Sequence, residues 1–177
     1  MTRHAATEQL FHAVRTGNVV AARVALDAGA NINARANWQR TPLHCATMLG
    51  DSDIVKLLIA KGADVNAKTE LQETPLHWAI EYGNPDMVKL LIENGADVNA
   101  KGIRQETPMH RAAKCRQIDV ARLLIDRGAD IYAKNAEGWS PKQWAKYFGF
   151  TEIVEMLENA AKQEEGHAGQ GTKKRQD

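Results

Sequence analysis

The chain has 177 residues, with 23 Lys and Arg against 22 Asp and Glu and a formal net charge of +1, so no whole-molecule field draws it to nucleic acid or to an anionic lipid surface. It contains no apolar run of about 18 residues, the length a membrane-spanning helix needs. Arg3 and His4 have no apolar stretch behind them, so no secretory leader is expected; two cysteines and no Asn-x-Ser/Thr sequon suit a reducing, cytoplasmic setting.

From residue 5 the pattern is two short helices. The second opens at Asn18, carries the small apolar run Ala21-Ala22-Arg23-Val24-Ala25-Leu26 and closes at Gly29. A polar link follows, too irregular for helix and suited to an extended turn or hairpin. Thr41 then caps a helix whose first turn holds Pro42 and which runs to Gly50; Asp51 caps the next, Ile54-Val55-x-Leu57-Leu58-Ile59, which Gly62 ends.

The same order restarts at Thr74-Pro75-Leu76-His77 and Thr107-Pro108-Met109-His110, each 33 residues after the last, counting from Thr41-Pro42-Leu43-His44. A second marker keeps that step: Gly29-Ala30-Asn31-Ile32-Asn33-Ala34, Gly62-Ala63-Asp64-Val65-Asn66-Ala67, then Gly95 to Ala100 and Gly128 to Ala133. Two markers in phase define a tandem array whose units bury surface against neighbours. Near its end, Arg116 stands where other units have Gly, and Gln117 where they mostly cap with Asp or Asn, which predicts a strained junction. Ser140-Pro141-Lys142-Gln143-Trp144 opens the last unit, with Lys142 and Lys146 at positions that are apolar in inner units.

This pattern resembles the ankyrin repeat, with its 33-residue period and Thr-Pro-Leu-His-x-Ala signature, matched at residues 41–46 and 74–79 and nearly at 107–112. The resemblance implies an all-α solenoid of helix-turn-helix units linked by β-hairpin-like loops. Residues 1–4 are an extension; the repeat domain is 5–161, in units 5–34, 35–67, 68–100, 101–133 and 134–161, the outer two acting as caps; residues 162–177 read as a disordered polar tail. Gln39, Gln72 and Gln105 depart from the family, which commonly has Gly there. Leu58 with Asn66 and Leu91 with Asn99 also look like the asparagine-hydroxylation context of animal ankyrin repeats, although a role in the turn is the stronger reading.

Nothing in the chain predicts catalysis. His44, His77 and His110 recur at one-unit spacing, roughly 10 Å apart, and one metal ion needs its ligands about 2 Å away; internal hydrogen bonds joining adjacent turns account for them. Cys45 and Cys115 are too far apart for a disulfide and lack a recognisable third member of a thiol triad. No cofactor or metal is expected.

Positions that vary between units without a packing reason are candidates for recognition. At the hairpin tips these are Trp38, Arg40, Leu71, Glu73, Ile103, Arg104 and Trp139; on the first helices they are Met48, Leu49, Trp78, Glu81, Tyr82, Arg111, Lys114, Trp144, Tyr147 and Phe148. In ankyrin repeat proteins these positions line the concave groove that grips partners, so the resemblance implies a monomeric adaptor or scaffold binding a protein, and neither nucleic acid nor membrane. A regulatory or inhibitory subunit covering a partner enzyme's active site is the second reading, and a thiol-dependent enzyme a distant third. Acidic residues of the third unit and basic residues of the fourth suggest a bipolar groove meeting a partner of opposite polarity.

Overall fold

Most helices of the computed structural model begin where the sequence offers a cap, Thr2, Asn18, Thr41, Asp51, Thr74, Asn84, Thr107 and Ser140. The structure describes residues 2–170, with side chains to Glu164. The helices are α1 (Arg3–Arg15), α2 (Val19–Asp27), α3 (Pro42–Leu49), α4 (Ser52–Ala60), α5 (Pro75–Glu81), α6 (Pro85–Glu93), α7 (Pro108–Lys114), α8 (Ile118–Asp126), α9 (Pro141–Tyr147) and α10 (Thr151–Gln170), and there is no strand among the described residues. Odd-numbered inner helices pack on one another in chain order, and among the even-numbered outer ones α2 packs on α4, α6 on α8 and α8 on α10. This is the helical solenoid that the repeat period predicts.

The repeating Thr-Pro-x-His unit works as a cap and a rivet. In α3 the His44 ring Nδ1 accepts from the Thr41 backbone N–H at 3.2 Å and lies 2.8 Å from the Thr41 hydroxyl. The opposite ring nitrogen, Nε2, donates to the Glu73 carbonyl of the next unit at 3.1 Å. His77 repeats this with Thr74 and the Glu106 carbonyl, and His110 with Thr107 and the Trp139 carbonyl. All three rings are 0 % exposed, which a neutral imidazole tolerates because both nitrogens have partners. The outer turns carry a second ladder: Asn33, Asn66 and Asn99 accept from the N–H of Asp64, Asp97 and Asp130 at 2.7 to 2.9 Å. Both Asn66 and Asn99 also donate through Nδ2 to a glycine carbonyl of the next unit, so their carboxamides hold adjacent turns together.

Between those ladders runs a continuous apolar core. Leu10, Leu43, Ile54, Leu58, Leu76, Ile80, Met87, Leu91, Met109 and Leu124 are fully buried, each worth about 1.5–3 kcal/mol relative to exposure. The hairpins share one closing backbone bond, Ala36 N–H to the Arg40 carbonyl, Thr69 to Glu73, Gly102 to Glu106 and Asn135 to Trp139. At their tips Gln39, Gln72 and Gln105 take the left-handed conformation that glycine favours (φ 58 to 64°), and so do Trp38 and Arg104.

Arg116 also sits left-handed, at φ 55°, which costs a residue with a Cβ about 1–2 kcal/mol. Gln117 makes no cap bond to its own helix; its Nε2 donates 2.6 Å back to the Ile80 carbonyl. Replacing Arg116 with glycine relieves the backbone and forfeits only the guanidinium over the Phe150 ring, 5.8 Å away. The expected result is a melting temperature about 2 to 4 °C higher, read by calorimetry; a lower value would contradict the strain.

At the C-terminal end the structure departs from expectation. The helix predicted to stop near Ala161 continues to Gln170, so the proposed tail is helical over residues 162–170, and residues 171–177 of it lie outside the described residues. Local propensity explains the difference, because Lys162-Gln163-Glu164-Glu165 are good helix formers that extend an existing nucleus without needing an apolar face. Lys142 and Lys146 of the last unit close on Glu158, at 3.2 and 4.0 Å.

Candidate protein-binding face

The varying positions fall into three junctions built on one register. A hairpin residue meets an inner-helix residue 38 positions later: Arg40 meets Trp78, Glu73 meets Arg111, and Glu106 stands in the same register as Trp144. At the first junction the Arg40 guanidinium lies 4.8 Å from the Trp78 ring, and the same indole meets His44 edge-on at 5.4 Å. Trp78 is half-buried and carries Tyr82 at 6.4 Å.

The second junction replaces cation and ring by charge and charge. Arg111 Nη2 donates to both Glu73 oxygens at 3.1 and 3.2 Å, and Nη1 donates to Glu81 at 2.8 Å. Burial alone would pull the guanidinium down, but Glu73, Glu81 and Glu106 outweigh it and hold Arg111 above its ordinary range. The Glu73 carboxylate also accepts from the Ile103 backbone N–H at 2.9 Å. At the flanking junctions the corresponding hairpin-to-hairpin bonds are backbone to backbone, Glu70 to Trp38 and Ala136 to Arg104. Room for that carboxylate comes from Gly102, where an added Cβ would lie 2.6 Å from Glu73 Oε1. Its φ is ordinary, so close approach rather than backbone freedom requires glycine here.

The third junction is aromatic. Trp139, Trp144, Tyr147, Phe148 and Phe150 form a run of rings with centroids 5.0 to 6.2 Å apart, and the Lys114 ammonium lies 5.4 Å from the Trp144 ring.

These positions correct the bipolar reading. Glu73 and Arg111, expected to face a partner, are 5 % and 9 % exposed and are held by each other, while Arg104 is matched by Glu137 at 3.0 Å. Opposite charges on neighbouring units lie close enough to neutralise one another, so the third and fourth units present no separated poles. Large apolar side chains remain in the open: Trp38, Leu49, Leu71, Tyr82, Ile103, Tyr147 and Phe148 are 39 to 68 % exposed. Met48, Trp78, Trp139 and Trp144 are half-buried beneath them, and Glu81 and Lys114 are exposed at the rim.

For chemistry the described residues offer little. No group of three His, Cys, Asp or Glu among them could hold a metal, and burial pushes both thiols, Cys45 and Cys115, above their ordinary range, opposite to what a thiolate nucleophile needs. Among the described residues no helix is long and apolar enough to cross a membrane.

Stacked helix pairs, histidine rivets at three successive steps and variable side chains at tips and inner helices define a linear helical-repeat protein. The family model for ankyrin repeats (3 copies) matches residues 6–69, 68–135 and 101–167, and the chain belongs to the ankyrin repeat family. No curated protein matches the chain. Ankyrin repeats are in general modules for protein–protein interaction, and the family is typically non-enzymatic.

Proposed function

We propose that the chain is an adaptor or scaffold that grips a protein partner along its hairpin tips and inner helices, from Trp38 at one end to Phe148 at the other. One observation carries this reading. Ten large hydrophobic side chains are exposed among the described residues, and seven of them occupy tip or inner-helix positions; Val20, Val24 and Tyr132 are the exceptions. Aromatic side chains at such positions dominate the energetics of protein interfaces. The left-handed backbone at Trp38 and Arg104 supports it too, since strain of this kind gathers where function holds a side chain out.

Trp38 and Tyr82 are 61 % and 56 % exposed, so their joint replacement by alanine should change folding stability by less than about 1 kcal/mol. Used as bait in a lysate of cells that express the chain, the wild type should capture a protein that the Trp38→Ala, Tyr82→Ala variant captures at least about tenfold less. Equal capture by a folded variant would remove this face as the site.

A further inference from the structure

The end of the array formed by α1 and α2 carries apolar surface that no described residue covers. Val20 and Val24 are 73 % and 57 % exposed, and neither belongs to a hairpin tip or an inner helix. At the position of Val20 the next three units place Asp53, Asp86 and Asp119, and the last places Glu152; all four acids are exposed. At the position of Val24 stands Leu57, buried in α4, which has α2 packed upstream of it. The other end of the array is sealed by charge, Lys142 and Lys146 on Glu158, so bare valines are not required to finish the stack.

The sequence of α1 shows what fits against this end. Glu8, Phe11, His12 and Arg15 form one stripe at i, i+3, i+4 and i+7. With Val20, Ala21 and Val24 they line an open cleft of about 1410 Å³, room for a helix rather than for one side chain. The stripe reads acid, ring, ring, base, which is complementary to its own reverse. Two copies of α1 laid antiparallel about a twofold axis between Phe11 and His12 set Glu8 against Arg15 of the second copy and Phe11 against its His12, each contact being made twice, as an isologous interface requires. Neither charge is already satisfied within the chain. Arg15 has no hydrogen bond or ion pair among the described residues, and Glu8 has only the exposed His4 ring at 3.4 Å, a partner that carries charge only when protonated.

We propose that the chain forms a homodimer through this end, α1 antiparallel to α1 of a second copy, with Val20 and Val24 buried beside the helix pair. Burial of the valines and of Phe11 drives association, and the two Glu8–Arg15 contacts set its register. The dimer replaces the monomer expected from sequence. It does not depend on the protein-binding reading, but it would present two copies of the tip and inner-helix face in one particle, which gives a scaffold two points of attachment.

Sedimentation equilibrium of the purified chain from about 5 to about 500 μM should show a reversible monomer–dimer equilibrium. Glu8→Arg or Arg15→Glu alone puts like charges together at both copies of the contact and should weaken dimerisation at least about tenfold. An equimolar mixture of the two variants should recover it, because every reversed charge then meets its opposite. Val20→Asp installs the acid that the following units carry and should weaken association in the same direction, with helix content by circular dichroism unchanged. A chain that stays monomeric throughout would overturn the proposal and leave the face to a chain of different sequence. So would a dimer whose strength neither charge reversal changes, or a mixture that associates no better than its components.

Discussion

Replacing Arg111 with alanine is expected to destabilise the fold by about 3–5 kcal/mol, the range for removing one partner from a buried ion pair. The cost arises less from the attraction lost than from what is left behind. Glu73, 5 % exposed, and Glu106, 3 % exposed, would remain as buried carboxylates, and Lys114 reaches only Glu106, at 4.0 Å. Because an array couples each unit only to its neighbours, the damage should concentrate at one junction. Guanidinium titration followed by circular dichroism should then show a lowered midpoint with a shallower or split transition, as residues 5–100 and 101–161 lose cooperativity with each other.

A companion variant separates the pair from the space it fills. The preceding junction solves the same problem with Arg40 over Trp78, so Glu73→Arg with Arg111→Trp transplants that solution by one unit. The double variant should recover more than half of the loss, since a buried ion pair exchanged for well-packed neighbours is often neutral. If Arg111→Ala alone costs less than about 1 kcal/mol, water reaches the junction and the charges are not held in a dry interior.

Much of this architecture was legible because a repeat states its rules several times. Thr-Pro-x-His at 33-residue intervals defines helix starts, register and rivets together, and Gly50, Gly83 and Gly149 all take the left-handed backbone expected of them. The Glu73–Arg111 pairing was less visible, because each residue belongs to a different unit and each is variable. The signal was nevertheless present, as opposite charges in the register where Arg40 meets Trp78. Gly102 could not be recognised from its own sequence context, since its φ is ordinary and it is the Glu73 carboxylate and the His77 ring pressed against it that leave no room for a Cβ there. Glu106 was missed because burial of a charged residue is a property of the stacked units and not of the unit that carries it. The continuation of α10 past Ala161 was missed for a different reason: amphipathic periodicity detects helices that pack, whereas this stretch extends a helix already nucleated by its packed part.

The three riveting histidines make a second large effect, this time of pH. Each ring accepts a backbone N–H at Nδ1, so protonation there would set a donor against a donor and charge a group with no solvent. Burial is the leading cause that pushes His44 down to about 4 from 6.5, with Arg35 and Arg40 adding to it and the Glu73 carbonyl and Asp64 opposing. His77 is shifted down for the same leading reason, although Glu73 resists it and Arg111 and Lys68 assist; His110 follows, with Glu106 and Asp130 resisting and Lys134 assisting. A histidine whose folded value lies below its unfolded value leaves stability complete above about pH 6.5 and removes it as pH falls, because only the unfolded chain takes up the proton. Across the window from about 6.5 to about 4, His44 alone should cost about 3 kcal/mol, and His77 and His110 act in the same direction. Denaturation midpoints measured between pH 7.5 and 4.5 should therefore fall steeply below pH 6.5, with close to one proton taken up on unfolding near pH 5 by His44 and further uptake in the same direction by His77 and His110. His44→Gln, less stable at neutral pH because its inter-unit bond is gone, should show a shallower slope by close to one proton. Stability that stayed level from pH 7 to pH 5 would mean that the rings are already charged, and that the ladder of Thr-Pro-x-His units is held by a different proton arrangement from the one its distances describe.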